Sequence, residues 1–160
     1  MYRVRFHKKG DDNRFFVYVG SISSLVSDIE DLTALIDTGA GSSIFPAALW
    51  HNPNEDYPER DGFYKGVGTF ANSESAEIVE YHYGEIKIFI ADRTKGNVER
   101  IKSSIFNIRA TLLHADSFEM KISGNNVRRT ISPILGVRDF LEKYRAVFNG
   151  DEQESYIMVP

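Results

Sequence analysis

Short segments rich in β-branched and aromatic residues make up most of the chain, and polar turns separate them at short intervals. Residues 83–91 show the pattern most clearly. There one face carries Ile86, Ile88 and Ile90, and the opposite face carries Glu85, Lys87 and Phe89. A period of two residues places alternate side chains on opposite faces of a β-strand. Many such strands at short spacing predict an all-β domain whose strands close on one another.

The same kind of pattern predicts strands at residues 3–6, 15–19, 32–36, 64–70, 105–113, 118–122, 144–148 and 156–159, and another that ends at residue 131. Turn-forming residues at 11–13 are expected to join the first two strands in a hairpin. Pro46 is expected to start a short helical turn, and residues 51–62 to form an exposed loop. Residues 138–144 carry apolar side chains at helical spacing and predict the main helix of the chain.

The composition excludes several classes of function. The chain has 160 residues, 42% of them apolar, which predicts a single domain over residues 1–160. Its formal net charge is −4, whereas nucleic-acid-binding domains carry a basic excess, so we expect no nucleic-acid partner. No apolar run approaches the roughly 20 residues of a membrane helix, so we expect no membrane partner. The absence of cysteine excludes a thiol nucleophile, a thiolate metal site and a disulfide, and it fits a cytoplasmic location.

The segment that carries the most chemical information is residues 34–40, Ala-Leu-Ile-Asp-Thr-Gly-Ala. An apolar strand here delivers the carboxylate of Asp37, which is costly to bury without a partner. Gly39 allows a sharp turn and leaves its N–H group able to approach that carboxylate. Thr38 supplies a hydroxyl that can brace the loop. Taken alone, the tripeptide Asp37-Thr38-Gly39 is also compatible with an ordinary turn at the end of a strand.

Two further segments follow in order, and with the first they resemble a known family. They are the glycine-rich segment Gly66-Val67-Gly68-Thr69-Phe70 and the segment Ile134-Leu135-Gly136 ahead of the predicted helix. Together with Asp37-Thr38-Gly39-Ala40, they resemble the flap, the hydrophobic-hydrophobic-Gly motif and the active-site motif of the retropepsin-like, single-domain aspartic proteases. The resemblance spans residues 32–148.

This resemblance implies a closed acid-protease barrel with one short C-terminal helix, and hydrolysis of peptide bonds by water held between two carboxylates. Because the chain has one Asp-Thr-Gly, it implies a twofold homodimer in which each subunit supplies one Asp37. Thr38 would form a hydrogen bond across the twofold axis. The implied catalytic residues are Asp37, Thr38 and Gly39, and the implied substrate-binding residues are Ile36, Ala40, Ile44, Gly66, Val67, Gly68 and Thr69. The implied partner is a polypeptide substrate, and no metal or organic cofactor is required.

The chain departs from the family pattern at two positions. Gly41 stands where retroviral enzymes usually have an Asp that pairs with the arginine of the C-terminal motif, so Arg138 has another partner or none. Val137 adds one residue between Gly136 and Arg138. These departures leave open a catalytically silent module for peptide binding or dimerisation. A processing domain cut out of a longer protein is a further alternative.

Other motifs indicate no competing chemistry. The four histidines lack the spacing of metal ligands, and His114 with Asp116 is more typical of a surface turn. Ser42 and Ser43 lie outside any Gly-x-Ser-x-Gly elbow, which argues against a serine hydrolase. The glycines at 66 and 68 also match a loose dinucleotide-binding pattern, but no strand-helix-strand unit surrounds them.

Overall fold

The computed structural model describes residues 2–8, 14–21, 33–65, 73–92, 102–136, 138–149 and 155–159. These residues lie mostly in β-strands, which confirms the prediction of an all-β chain. In chain order the strands are β1 (Tyr2–Arg5), β2 (Phe16–Ser21), β3 (Thr33–Ile36), β4 (Ile44–Phe45), β5 (Gly62–Lys65), β6 (Ser73–Ala76), β7 (Ile78–Asp92), β8 (Lys102–Leu113), β9 (Ser117–Ile122), β10 (Asn125–Thr130), β11 (Ile134–Leu135), β12 (Ala146–Val147) and β13 (Tyr156–Val159). The described residues also form a short helix α1 (Ala47–Trp50) and a 3-10 helix (Leu141–Lys143).

The largest sheet returns to its own starting strand. Its order is β2-β3-β11-β4-β8-β7-β5, and β2 also pairs with β7. One edge of β7 pairs with β8 over residues 81–92. The other edge pairs with β5 at residues 78–81 and then with β2 at residues 88–91. The pairing therefore runs in a ring of six strands, and this satisfies backbone groups that an open sheet would leave at its edges.

The alternation predicted for β7 is confirmed by the burial of its side chains. Ile86, Ile88 and Ile90 are buried in the main core cluster, whereas Glu85 and Lys87 are exposed. A second, smaller core cluster lies beneath β9 and is formed by the buried residues Val79, Leu113, Phe118 and Met120. The long strands β7 and β8 contribute to both clusters and so connect them.

The predicted hairpin of the first two strands is wrong for β1 itself, which pairs with the C-terminal strand β13. Among the described residues, the two segments meet at one antiparallel bridge between His7, two residues after β1, and Phe16 of β2. The reason is that β3 occupies one edge of β2 and β7 occupies the other, so β1 finds a full partner only in β13. β12 pairs with the opposite edge of β13, which completes a three-stranded terminal sheet. The predicted turn at residues 11–13 lies outside the described residues.

The predicted helix at residues 138–144 is also wrong, because only a 3-10 helix of three residues forms there. Phe140 is fully buried in the main core, where it packs edge-on against Phe106 at 5.4 Å. Its backbone angles (φ −131°, ψ −66°) are not helical, and Tyr144 is extended. Burial of Phe140 therefore prevails over the local helical spacing.

Several boundaries follow the sequence closely. β13 coincides with the predicted strand at 156–159, and Pro46 is the N-cap of α1, one residue before the helix begins. The loop predicted at 51–62 ends where β5 begins. Among the described residues, no helix is long and apolar enough to cross a bilayer.

Candidate active site

Asp37 lies at the point where β3 leaves the largest sheet. β3 runs parallel to β11, and the Asp37 N–H donates to the carbonyl oxygen of Leu135 at 3.1 Å. This bond extends the β3–β11 pairing by one residue and fixes the backbone from which the carboxylate projects. The residue is half-buried, so its side chain remains within reach of solvent.

Residues 37–43, between β3 and β4, form the Asp37 loop, and two hydrogen bonds close its first turn. The Gly39 N–H donates to Oδ1 of Asp37 at 2.9 Å, and the Ala40 N–H donates to the Asp37 carbonyl oxygen at 3.2 Å. A Cβ atom at Gly39 would lie 3.2 Å from the same Oδ1 atom, closer than such atoms ordinarily approach. The glycine therefore lets its N–H reach the carboxylate, as the sequence predicted.

At Gly136, the end of β11 crosses the Asp37 loop in direct backbone contact. A Cβ atom there would lie 2.6 Å from the carbonyl carbon and oxygen of Ser42, and 2.9 Å from the carbonyl oxygen of Ala40. These neighbours are backbone atoms, which cannot swing aside as a flexible side chain can. The glycine of the Ile134-Leu135-Gly136 segment is thus required for the Asp37 loop to lie against β11.

Asp139 holds the far end of the same loop. Its carboxylate accepts hydrogen bonds from the Ser43 N–H at 2.8 Å, from the Ser43 hydroxyl and from the Ser42 hydroxyl at 3.2 Å. The fully buried Ser43 hydroxyl in turn accepts the Gly136 N–H at 2.9 Å. The sequence does not predict this network. In the sequence, Asp139 belongs to the expected helix, and Ser42 and Ser43 bear only on a serine nucleophile, which their spacing argues against.

Arg138 lies beside Gly41. Its N–H donates to the Gly41 carbonyl oxygen at 3.1 Å, and its Nε atom is 4.0 Å from the position of a Cβ atom at Gly41. Across the described ranges, the Arg138 side chain forms no ion pair. The sequence left two possibilities for Arg138, another acidic partner or none. The described residues agree with the second.

Tyr64 approaches the Asp37 loop from β5. Burial raises the pKa of the Tyr64 hydroxyl, and the negative charge of Asp37 raises it further. The carboxylate is therefore close enough to Tyr64 for its charge to act, and β5 leads from this point into residues 66–72. Four residues predicted to contact substrate lie outside the described residues, namely Gly66, Val67, Gly68 and Thr69.

The remaining predicted site residues differ in burial. Thr38 is exposed, whereas Ala40 and Ile44 are half-buried, and Ile44 packs against the smaller core cluster. Ile36 is 7% exposed and belongs to the main core cluster, so little of its side chain can contact a substrate. The structure therefore brings Asp37, Thr38 and Ala40 together at one loop.

A second group of aromatic and titratable side chains surrounds Trp50, and the sequence does not predict it. In this Trp50 cluster, His82 meets the indole edge-on at 4.8 Å, and Tyr57 stacks between His51 at 4.1 Å and His114 at 4.8 Å. Nδ1 of His82 lies 2.8 Å from Nε2 of His114, within hydrogen-bond distance. The two histidines are 32 residues apart, so only the register of β7 on β8, which sets His82 opposite Leu112, could have revealed the pair.

The pKa of both histidines in this pair is lowered, which favours their neutral forms at neutral pH. Burial lowers the pKa of His82, as does the neighbouring His114, and together they outweigh the charge of Asp61. Burial likewise lowers the pKa of His114, although Glu80 opposes this effect. Within the described ranges, no set of three or more His, Asp or Glu side chains is arranged to hold a metal ion.

Acidification is expected to destabilise the fold through this pair. In the unfolded chain both histidines have a pKa near 6.5, and in the fold the pKa is lower, so the unfolded chain takes up protons first as the pH falls. The stabilising neutral forms are fully present above pH 6.5 and are lost progressively below it. We expect Tm to fall by roughly 2–4 °C as the pH falls below this value. Calorimetry of wild type and His82→Gln checks this, since an equal decline in both would contradict it.

A scan against models of protein families finds no match to this chain, and searches of curated proteins and of solved structures likewise find no similar protein.

Proposed function

We propose that the chain is an aspartic endopeptidase of the retropepsin-like type that acts as a twofold homodimer. The observation that carries this proposal is the Asp37 loop. Its carboxylate is oriented by the Gly39 N–H, and its backbone is held against β11 by Leu135 and Gly136. The ring of six paired strands supports a closed barrel of the acid-protease kind as the scaffold of this loop.

The chemistry requires a second carboxylate. Two carboxylates that face each other across one water cannot both be ionised, so the pair holds one proton and titrates as a unit. The ionised member takes a proton from the water, which attacks the scissile carbonyl carbon. The protonated member polarises the carbonyl oxygen, and the C–N bond then breaks as the amine gains a proton. Since the chain has one Asp-Thr-Gly, the second Asp37 comes from another copy.

The substrate is proposed to be a polypeptide in extended form, paired as a β-strand between the Asp37 loop and residues 66–70. Ala40 and Ile44 would contribute to an apolar floor, and Gly66, Val67, Gly68 and Thr69 to the cover. Tyr64 supports this arrangement, because it lies near Asp37 on the strand that leads into the cover. Closure of such a cover would exclude bulk water from the carboxylate pair.

The terminal sheet limits how two copies can join. β13 lies between β1 and β12 of its own chain, so both of its edges are already paired. Strand pairing between copies in this sheet would therefore fall to β1 or β12.

A dimer-dependent activity is expected. We expect cleavage of a peptide library at roughly pH 4 to 7, with specific activity rising with protein concentration until the dimer is saturated. The measurement is sedimentation velocity and cleavage over one series of concentrations. Activity that stays constant while the chain is monomeric would contradict the proposal. A stable dimer without cleavage would instead favour the silent peptide-binding module.

A further inference from the structure

A groove of about 560 Å³ lies between the loop that follows α1 and the strands β7 and β8. Trp50 and Glu55 line it from one side, and His82, Glu85 and Asn107 line it from the other. None of the residues of the Asp37 loop borders this groove. It is therefore separate from the site proposed above.

The groove carries an excess of negative charge. Its lining includes the carboxylates of Glu55, Asp56 and Glu85 but only one ammonium group, that of Lys87. Over the part of the chain that the structure describes, none of the three carboxylates forms an ion pair. His82 and His114 favour their neutral forms at neutral pH, and Arg109, which lies opposite Glu85 on β8, offsets part of this charge. The lining itself still carries three carboxylates against one ammonium group, and this excess attracts cations.

Trp50 offers a fixed aromatic surface in the same groove. Its indole N–H donates to the Leu113 carbonyl oxygen at 2.9 Å, and the ring of His82 packs edge-on against it. Tryptophan is the side chain whose ring attracts a cation most strongly. A ligand cation would therefore meet carboxylates and, in addition, an indole ring that is held in place.

The histidine pair sets the hydrogen-bonding character of the groove wall. Oε2 of Glu80 lies 3.9 Å from Nδ1 of His114, and its negative charge favours a proton on that nitrogen. Nε2 of His114 then accepts the Nδ1–H of His82, which leaves Nε2 of His82 as a bare acceptor. That atom is 3.2 Å from the position of a Cβ atom at Gly84, another residue of the groove lining. The wall thus presents an acceptor for an N–H donor.

We propose that this groove binds a cationic nitrogen group, a guanidinium or an ammonium, such as the end of an Arg or Lys side chain. Such a group places a positive charge beside Glu55 and Glu85. Its N–H can also donate a hydrogen bond to Nε2 of His82. It also presents the flat or compact cation that packs on Trp50. The proposal is independent of peptide cleavage at Asp37.

The chain contains one tryptophan, so its fluorescence reports directly on this groove. The test titrates the protein at neutral pH with N-acetyl-arginine amide, and in parallel with N-acetyl-citrulline amide, which has nearly the same shape but no charge. We expect a saturable change with the arginine compound and at least roughly tenfold weaker binding of the citrulline compound. Titration calorimetry provides a second readout that does not depend on fluorescence.

Two variants locate the site. Glu85→Gln is expected to weaken binding of the arginine compound by roughly five- to tenfold. Glu77→Gln removes an exposed carboxylate outside the groove and is expected to leave binding unchanged. Equal binding of both compounds, equal binding by both variants, or no binding in either readout would each overturn the proposal.

Discussion

Replacement of Asp37 by Asn is expected to lower the rate of peptide cleavage by at least roughly 10⁴-fold, because it removes both carboxylates of the proposed homodimeric site at once. The amide still fills the same space and can accept the Gly39 N–H through its oxygen. The amide can neither take a proton from water nor share a proton with the same position of the second subunit. The measurement is the initial cleavage rate of the best substrate from the peptide library, compared with wild type at equal dimer concentration.

A matched control separates chemistry from folding. Asp116→Asn makes the same change at an exposed residue, and its amide oxygen can still accept the Ala48 N–H. This variant is expected to keep wild-type activity, and Tm is expected to change little in either variant. Cleavage by Asp37→Asn at the wild-type rate would exclude Asp37 from the reaction and point to a contaminating protease.

Mixed dimers provide a sharper form of the same test. If both copies of Asp37 are needed, activity follows the square of the wild-type fraction, and an equal mixture retains about one quarter of the wild-type activity. If each chain acts alone, the equal mixture retains about one half. The two outcomes differ by a factor that routine kinetics resolves, once the chains have been mixed under conditions in which dimers exchange.

Gly136→Ala is expected to lower the free energy of unfolding by about 3 kcal/mol or more. The added methyl group would lie 2.6 Å from the backbone of Ser42, so either β11 or the Asp37 loop must move. A loss of this size is a large part of the 5–15 kcal/mol that typically stabilises a domain. Urea unfolding followed by circular dichroism measures it, and the unfolded fraction in water is also expected to increase.

Gly41→Ala is the control for this change. The atom nearest to its added Cβ would be Nε of Arg138 at 4.0 Å, which is an ordinary contact. We expect a change within about 0.5 kcal/mol of wild type. If Gly136→Ala were as stable as Gly41→Ala, the crossing of the two segments would have to be loose enough to absorb a methyl group.

Local patterns predicted the long, periodic strands and failed where distant residues decide. The alternation of Ile86, Ile88 and Ile90 directly reflects a face buried in the core, so β7 was identifiable. β11 pairs over only two residues, too few to show a periodicity. It was identifiable only through the motif that it forms with the glycine that follows it. The helix expected at 138–144 had suitable spacing, but it competes with the burial of Phe140 against Phe106. It also competes with the bonds of Asp139 to the Ser43 backbone, which lies 96 residues away in the chain.

The candidate site was predictable in its centre and not in its supports. The turn at Asp37 and the approach of the Gly39 N–H follow from local chain geometry, and the structure has both. The Asp139 network and the His82–His114 pair depend instead on which strands lie side by side. A single sequence contains that information only through the fold as a whole, since each partner alone is an ordinary polar residue.

The position of β11 has a consequence for the growing chain on the ribosome. β3 and β4 are not neighbours in the sheet, because β11 lies between them, and β11 is translated about a hundred residues later. Until residues 134–139 have emerged, the Asp37 loop lacks the Leu135 carbonyl, the Gly136 crossing and the Asp139 carboxylate that hold it. Contacts over such a span are also slow to form, because closing a long loop costs chain entropy first. The order of translation therefore separates in time the appearance of Asp37 from the assembly of the loop that positions it.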